Sequence, residues 1–383
     1  MIRKILSACI GAAFIVPAFG QIPQGAIAAE TNIRNTDCPC IFQDNRVLFR
    51  ANAPQADSVA IDLGKMFPMT KGKDGIWTVE TSPIEEGFHY YSLVINGVKV
   101  ADPASETYYG MGRMASGIDI PEKDMPDLEL KNVPVGKLIS QSYYSKNTAS
   151  WRDMTVYTPP GYDKGKGKYP VLYIQHGGGE DHRGWAIQGK TNVILDNLIA
   201  QKKAEPMIVV MGNGNVVVPG GGAPGYSDAA MDAFAKEMIG EVIPFVEQNY
   251  RVKKGVKNRA LAGLSMGGGQ SFYTGFRHPE VFGNIGFFST GLFGGINRNG
   301  AAPFDAEKAI PGLVSNPQQF NKNFKVMYVS VGEQDPRIDP TGKLMTELKK
   351  NGLNLTYETF PGGHEWQVWR KSLHSMAQLL FKK

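Results

Sequence analysis

Cysteine is nearly absent from this chain, with three in 383 residues, at positions 9, 38 and 40. Cys38 and Cys40 stand so close together that a disulfide between them is strained and closes almost no loop, so a cystine-stapled fold is excluded. The six histidines are dispersed and no His/Cys cluster has metal-ligand spacing, which argues against a zinc deacetylase and for chemistry without metal or cofactor. A strong charge bias is also missing: 41 Lys and Arg against 36 Asp and Glu give +5, with no basic run, too little to indicate a nucleic-acid partner. Repeats and low-complexity tracts do not occur. Hydrophobic content of 42% with 20% charged residues is ordinary for a globular protein, and the length is comfortable for two domains.

The one long apolar stretch is at the N-terminus. Arg3 and Lys4 precede the apolar residues 5–19, and Ala18-Phe19-Gly20 places small residues at both cleavage-determining positions, with Ala28-Ala29 as a later site. The stretch is short for a membrane span and contains Pro17. Leu6-Ser7-Ala8-Cys9 imitates a lipoprotein box, but its cysteine precedes most of the apolar core. The expectation is a signal peptide over residues 1–20, export to a periplasm or the medium, and no membrane insertion after cleavage.

Residues 45–100 alternate in short strand-like runs, 46–51, 58–63, 76–81 and 88–95, divided by Ala-Pro, Lys-Asp-Gly and Asn-Gly turns. Such spacing argues for a small β-sandwich over residues 36–103. Residues 104–126 read as a linker. Trp77, Tyr90 and Tyr91 are either glycan contacts or core, and alternating single aromatics usually pack inward. From residue 127 to 383 the texture changes to α/β. Strand-like runs at 153–158, 171–175 and 207–211 alternate with helix-compatible segments at 191–202 and 231–250, which predicts a mostly parallel sheet with ligands at its carboxyl edge. The long glycine-rich loop 212–228 has no periodicity and reads as a binding lip.

Gly263-Leu264-Ser265-Met266-Gly267 is the most informative stretch. A strand-like run precedes this G-x-S-x-G pentapeptide and a helix-compatible run follows it. A sharp strand-to-helix turn needs small residues two positions either side of the serine. The turn raises the hydroxyl above the sheet and leaves the N–H of Met266 facing a developing oxyanion. Serine needs a base, and the base needs an orienting group. His364 follows the strand-like run 353–360 and opens a helix, so it emerges at the same sheet edge. His89, His182, His278 and His374 lie in less suitable places. The apolar run 325–331 leads into Gly332-Glu333-Gln334-Asp335, giving Asp335 as the acid and Glu333 as the reserve. His176-Gly177-Gly178-Gly179 follows another strand. Its glycines let the backbone approach closely, with Gly178 N–H as second oxyanion donor and His176 as a brace. Trp185 and Trp366 flank the expected cleft as candidate substrate contacts.

The segment from Arg259 to Phe272 closely resembles the nucleophile region of carbohydrate esterase family 1, the feruloyl and acetylxylan esterases, akin to siderophore esterases and mycolyltransferases. Gly362-Gly363-His364-Glu365-Trp366 is similar to that family's histidine segment, and Gly332 to Asp335 to its acid segment. Asn52 to Val59, Gly87 to Tyr91 and Asn96-Gly97-Val98 resemble an early-set, immunoglobulin-like module. The resemblance implies an α/β-hydrolase fold, a Ser265–His364–Asp335 triad with an acyl-enzyme, and feruloylated xylan as substrate. Acetylated xylan, a catechol siderophore ester, or glycan binding without turnover are the alternatives.

Overall fold

The computed structural model describes residues 22–33, 36–221, 225–293 and 304–382; the expected signal peptide lies outside them. Its largest element is an eight-stranded sheet built of β1 (Lys137–Ser145), β2 (Ser150–Thr158), β3 (Val171–Gln175), β4 (Ile208–Gly212), β5 (Arg259–Leu264), β6 (Asn284–Phe288), β7 (Val326–Gly332) and β8 (Thr356–Phe360). The spatial order is β1-β2-β4-β3-β5-β6-β7-β8. The β1–β2 and β2–β4 pairs are antiparallel, and every other pair is parallel.

Helices cover both faces, which is why β3 to β7 are almost wholly buried apolar runs instead of alternating ones. On one face Met231, Phe234, Phe272, Phe276, Met345 and Leu348 share a core with β3 to β7. On the other, Ile194, Leu198, Leu373 and Met376 form a second core with Leu172, Val209 and Ala262. Each large apolar side chain buried this way contributes roughly 1.5–3 kcal/mol. The helix expected over 231–250 is three joined segments: an α-helix Asp228–Glu237, a wide π turn Met238–Val242, and an α-helix Ile243–Asn249. Pro244 lacks an N–H to donate, and the helical path changes pitch just before it. The first segment packs on the helix Met266–Arg277.

Two antiparallel sheets precede this unit. One orders Ala26–Ala28, Cys40–Phe42, Val47–Asn52, Ile76–Glu80 and Thr70–Lys71. The other orders Thr107–Gly110, Arg113–Ile120, Gly87–Ile95, Val59–Asp62 and Met66–Pro68, with Val98–Val100 also on Gly87–Ile95. Phe49, Ile61, Tyr91, Leu93 and Ile118 meet between them. Cys38 and Cys40 form a disulfide around Pro39.

Two expectations change here. The linker over 104–126 is instead a β-hairpin of the second sheet, turning at Met111 and Gly112, both left-handed at φ 56° and 74°. Its alternation is masked by Gly110, Ala115, Ser116 and Gly117, small residues in a closely packed strand pair. The sandwich also begins before residue 36, because Ala26–Ala28 pairs with Cys40–Phe42.

Candidate active site

At the carboxyl end of β5 the chain turns directly into the helix Met266–Arg277, and Ser265 takes up φ 50°, ψ −111° at the turn. Such a backbone is strained for a residue with a side chain. The neighbouring glycines explain how it is held. A Cβ on Gly267 would lie 2.6 Å from the carbonyl oxygens of Gln175 and His176, and one on Gly263 would strike Gly267. Ser265 N–H donates to Phe288 O at 2.8 Å, fixing the turn to β6. Met266 opens the helix, so its N–H has no intrahelical acceptor.

His364 lies in the loop between β8 and the C-terminal helix Trp366–Ala377. Its Nε2 is 2.9 Å from Ser265 Oγ and its Nδ1 is 2.8 Å from Asp335 Oδ2. The imidazole edge packs against Trp369, ring centres 5.1 Å apart. Asp335 is buried and also accepts from Arg337 Nη1 at 2.8 Å and Arg337 N–H at 3.0 Å. Burial pushes the Asp335 carboxyl up, but the hydrogen bond and charge of His364, with the bonds from Arg337, outweigh it and hold the group at about 2. Glu333, the reserve acid, is exposed and reaches only Thr359 at 3.5 Å. Gly332 makes the meeting possible, since a Cβ there would strike the carbonyls of Gly362 and Gly363 in the histidine loop.

The glycine loop after β3 closes the other side. His176 is buried, its Nδ1 donating to Gly177 O at 2.7 Å while Nε2 accepts from Gly214 N–H at 3.0 Å. This is the neutral tautomer of a brace. Burial pushes the imidazole below its ordinary range, in keeping with that state. Gly177 N–H donates to Glu180 Oε2 at 3.2 Å. Among the described residues Gly178 N–H has no protein acceptor, which leaves it free for an oxyanion.

Sequence reasoning missed Glu180. It is buried beneath the glycine loop, where Oε1 accepts from Tyr90 Oη and Trp366 Nε1, each at 3.1 Å. Asn215 Nδ2 holds its carbonyl at 3.0 Å. Burial pushes its carboxyl up to about 7. The available signal was a carboxylate immediately after three glycines, a costly neighbour for a tight loop unless it has a fixed partner.

Trp185 and Trp366 do not face the cleft. Both are 1% exposed and meet edge-on at 5.3 Å inside the second core. Trp185 donates to Gln175 O at 2.9 Å, so its polar atom is satisfied internally. Trp77 and Tyr91 are buried in the N-terminal core, and Tyr90 is held by Glu180 and by Gln188.

The family described as "Putative esterase" matches residues 145–380. The chain belongs to that esterase family. A relative named endo-1,4-beta-xylanase/feruloyl esterase, from Xylanibacter ruminicola, is 36% identical over 357 residues, covering 90% of this chain and 46% of that protein. The chain thus spans about half the length of this curated relative. Among solved structures, a ferulic acid esterase superposes with a TM-score of 0.54 at 27% identity, over 65% of this chain and 98% of that one. An enterobactin esterase from Shigella flexneri superposes with a TM-score of 0.62 over 87% of this chain and 92% of that one, at 16% identity. These structures share the α/β-hydrolase fold. At 16% identity the second likeness concerns fold alone.

Proposed function

We propose that this chain is a serine carboxylesterase that releases hydroxycinnamic acids, ferulate above all, from the arabinoxylan of plant cell walls. The observation that carries the reading is His364 bridging Ser265 Oγ and Asp335 Oδ2 at 2.9 and 2.8 Å. Ser265 attacks the ester carbonyl while His364 Nε2 takes its proton, and Asp335 stabilises the imidazolium. The oxyanion rests on the N–H groups of Met266 and Gly178, and one such donor is worth roughly 3–4 kcal/mol in the transition state. His364 then protonates the sugar alcohol, which leaves. Water attacks the acyl-enzyme by the same route in reverse. Every proton and charge in these steps is handled by Ser265, His364, Asp335 and the two backbone donors.

The relative named as a xylanase and feruloyl esterase supports the acyl group and the polysaccharide together. The basic, apolar N-terminus supports action outside the cytoplasm. Identifying the acid freed from cereal arabinoxylan tests the substrate. Ferulate in excess of acetate is expected; preferential acetate release replaces this reading with an acetylxylan esterase.

A further inference from the structure

Four of the five tryptophans are buried, at 1–7% exposure, whereas Trp151 is 72% exposed. It lies on β2, directly opposite Tyr144 of β1, which is 51% exposed, and the two rings meet edge-on at 5.8 Å. Single exposed apolar side chains are ordinary, but two adjoining aromatic rings rimmed by polar groups form a contiguous patch of the kind that binds a ligand. Polar groups flank the rings on the same face of the hairpin. Ser142 and Asp153, the next cross-strand pair on that face, are linked by a hydrogen bond of 2.6 Å.

The position of this pair in the sheet gives it meaning. Met154 of β2 pairs with Gly212, which ends β4, and Gly212, Gln175 and Gly263 lie in one row across the carboxyl edge of the parallel strands. β2 is antiparallel to its neighbour, so Trp151 stands three residues beyond that row, as Ser265 stands two residues beyond it. Three strand spacings separate β2 from β5 in the order β2-β4-β3-β5, on the order of 14 Å. The platform and the nucleophile therefore share an edge, a short run of sugars apart. The loop between them carries His182, and Asp153 is close enough for its charge to act on that imidazole.

We infer that Trp151 and Tyr144 form a glycan platform that grips the polysaccharide backbone at a distance from the ester being cleaved. The ligand class is a chain of pyranose sugars, whose C–H faces lie on the rings while hydroxyls bond Ser142 and Asp153. Two rings ringed by hydroxyl and carboxylate groups suit such a chain better than a protein partner, which needs a far larger apolar area. The inference rests on the proposed function for the identity of the polymer, but the binding is tested without the ester.

Trp151 is the exposed tryptophan among the described residues, so acrylamide quenching of intrinsic fluorescence reads it selectively. Unesterified xylo-oligosaccharides are expected to protect this fluorescence in the wild type and to leave Trp151→Ala without a response. Trp151→Ala and Tyr144→Ala are each expected to raise KM for feruloylated arabinoxylan by roughly tenfold, the size of one aromatic contact. Both keep the wild-type kcat/KM on a small aryl hydroxycinnamate lacking sugar. An equal loss on the small ester would mean a structural role and overturn the inference. So would unchanged KM on the polymer with no protection by oligosaccharide, or protection that follows protein concentration instead of sugar. A wild type that fails to release ferulate, yet is protected by oligosaccharide, would refute the proposed substrate and leave the platform standing.

Discussion

Asp335 sits in an environment that ionisation alone makes tolerable: a buried carboxylate held by His364 on one oxygen and Arg337 on the other. Replacing it by Asn keeps the shape but favours the wrong tautomer of His364, and kcat is expected to fall roughly 10⁴-fold. Glu333→Gln, at the exposed neighbouring carboxylate, leaves kcat within about twofold on the same reasoning. Steady-state kinetics of the two variants side by side separates the acid from its reserve. Glu180 gives a prediction with the opposite sign. Its carboxyl stands at about 7 in the folded chain against an ordinary 4.5, so the folded state keeps a proton that the unfolded state has released. Its contribution to stability therefore falls as pH rises from 4.5 to about 7, then levels off. Thermal melts of wild type and Glu180→Gln across that window are expected to converge or cross as pH increases. Parallel curves would show that Glu180 does not titrate there. These two residues also mark what sequence can and cannot supply. Asp335 was legible because strand order and a following loop fix where an acid must emerge. Glu180 was not, since its partners Tyr90 and Trp366 lie 90 and 186 positions away.

The elements that place these groups rest on backbone contacts closer than any side chain permits. Gly267→Ala brings a methyl group to 2.6 Å from two carbonyl oxygens, neither of which can swing away. It is expected to cost roughly 1–3 kcal/mol, read by chemical denaturation, and to lower kcat by displacing Ser265. Stability equal to wild type would mean that the elbow yields more easily than its contacts imply. The central strands Val171–Gln175, Ile208–Gly212, Arg259–Leu264 and Val326–Gly332 were legible to within about two residues, because burial on both faces writes them as apolar runs, whereas the half-exposed edge strand Lys137–Ser145 and the strand Asn284–Phe288 were not read. The hairpin at 107–120 was not legible. Its glycines and small side chains hide the two-residue alternation, and its turn at Met111-Gly112 lacks the usual Asn-Gly or Asp-Gly signal. The tryptophans show the same limit in reverse. Trp185, in the turns of residues 182–189, and Trp366, at the start of the C-terminal helix, stand beside the site in sequence, yet both rings point into the second core.

Across the whole molecule, the N-terminal sheets and the hydrolase sheet are joined by charge as well as by packing. Arg370 of the C-terminal helix is 1% exposed and binds Asp119 through two bonds, of 2.9 and 3.0 Å, and Glu122 at 3.2 Å. Lys190 adds a second cation at 3.0 Å from Asp119. Burial raises the Asp119 carboxyl, but Arg370 and Lys190 more than offset it and hold the group at about 2. Arg370→Met strips Asp119 of its main partner and is expected to cost roughly 3–5 kcal/mol. A loss below about 1 kcal/mol, in the range of a surface pair, would mean that the two parts are held together by other contacts. Gly112 N–H also donates to Gly179 O at 2.8 Å, so the N-terminal hairpin touches the glycine loop itself. A reading of the sequence in consecutive domains cannot reveal such a joint, because its members are far apart in the chain, Arg370 lying 251 positions from Asp119.

The account depends most on Ser265 accepting an acyl group. Rapid acid quench during turnover of a hydroxycinnamoyl ester, followed by intact-mass and peptide analysis, tests this directly. One acyl group per chain is predicted, carried by the peptide that contains Ser265 and absent from Ser265→Ala, whose kcat falls about 10⁶-fold. An acyl group on another residue, or turnover retained by Ser265→Ala, would contradict it.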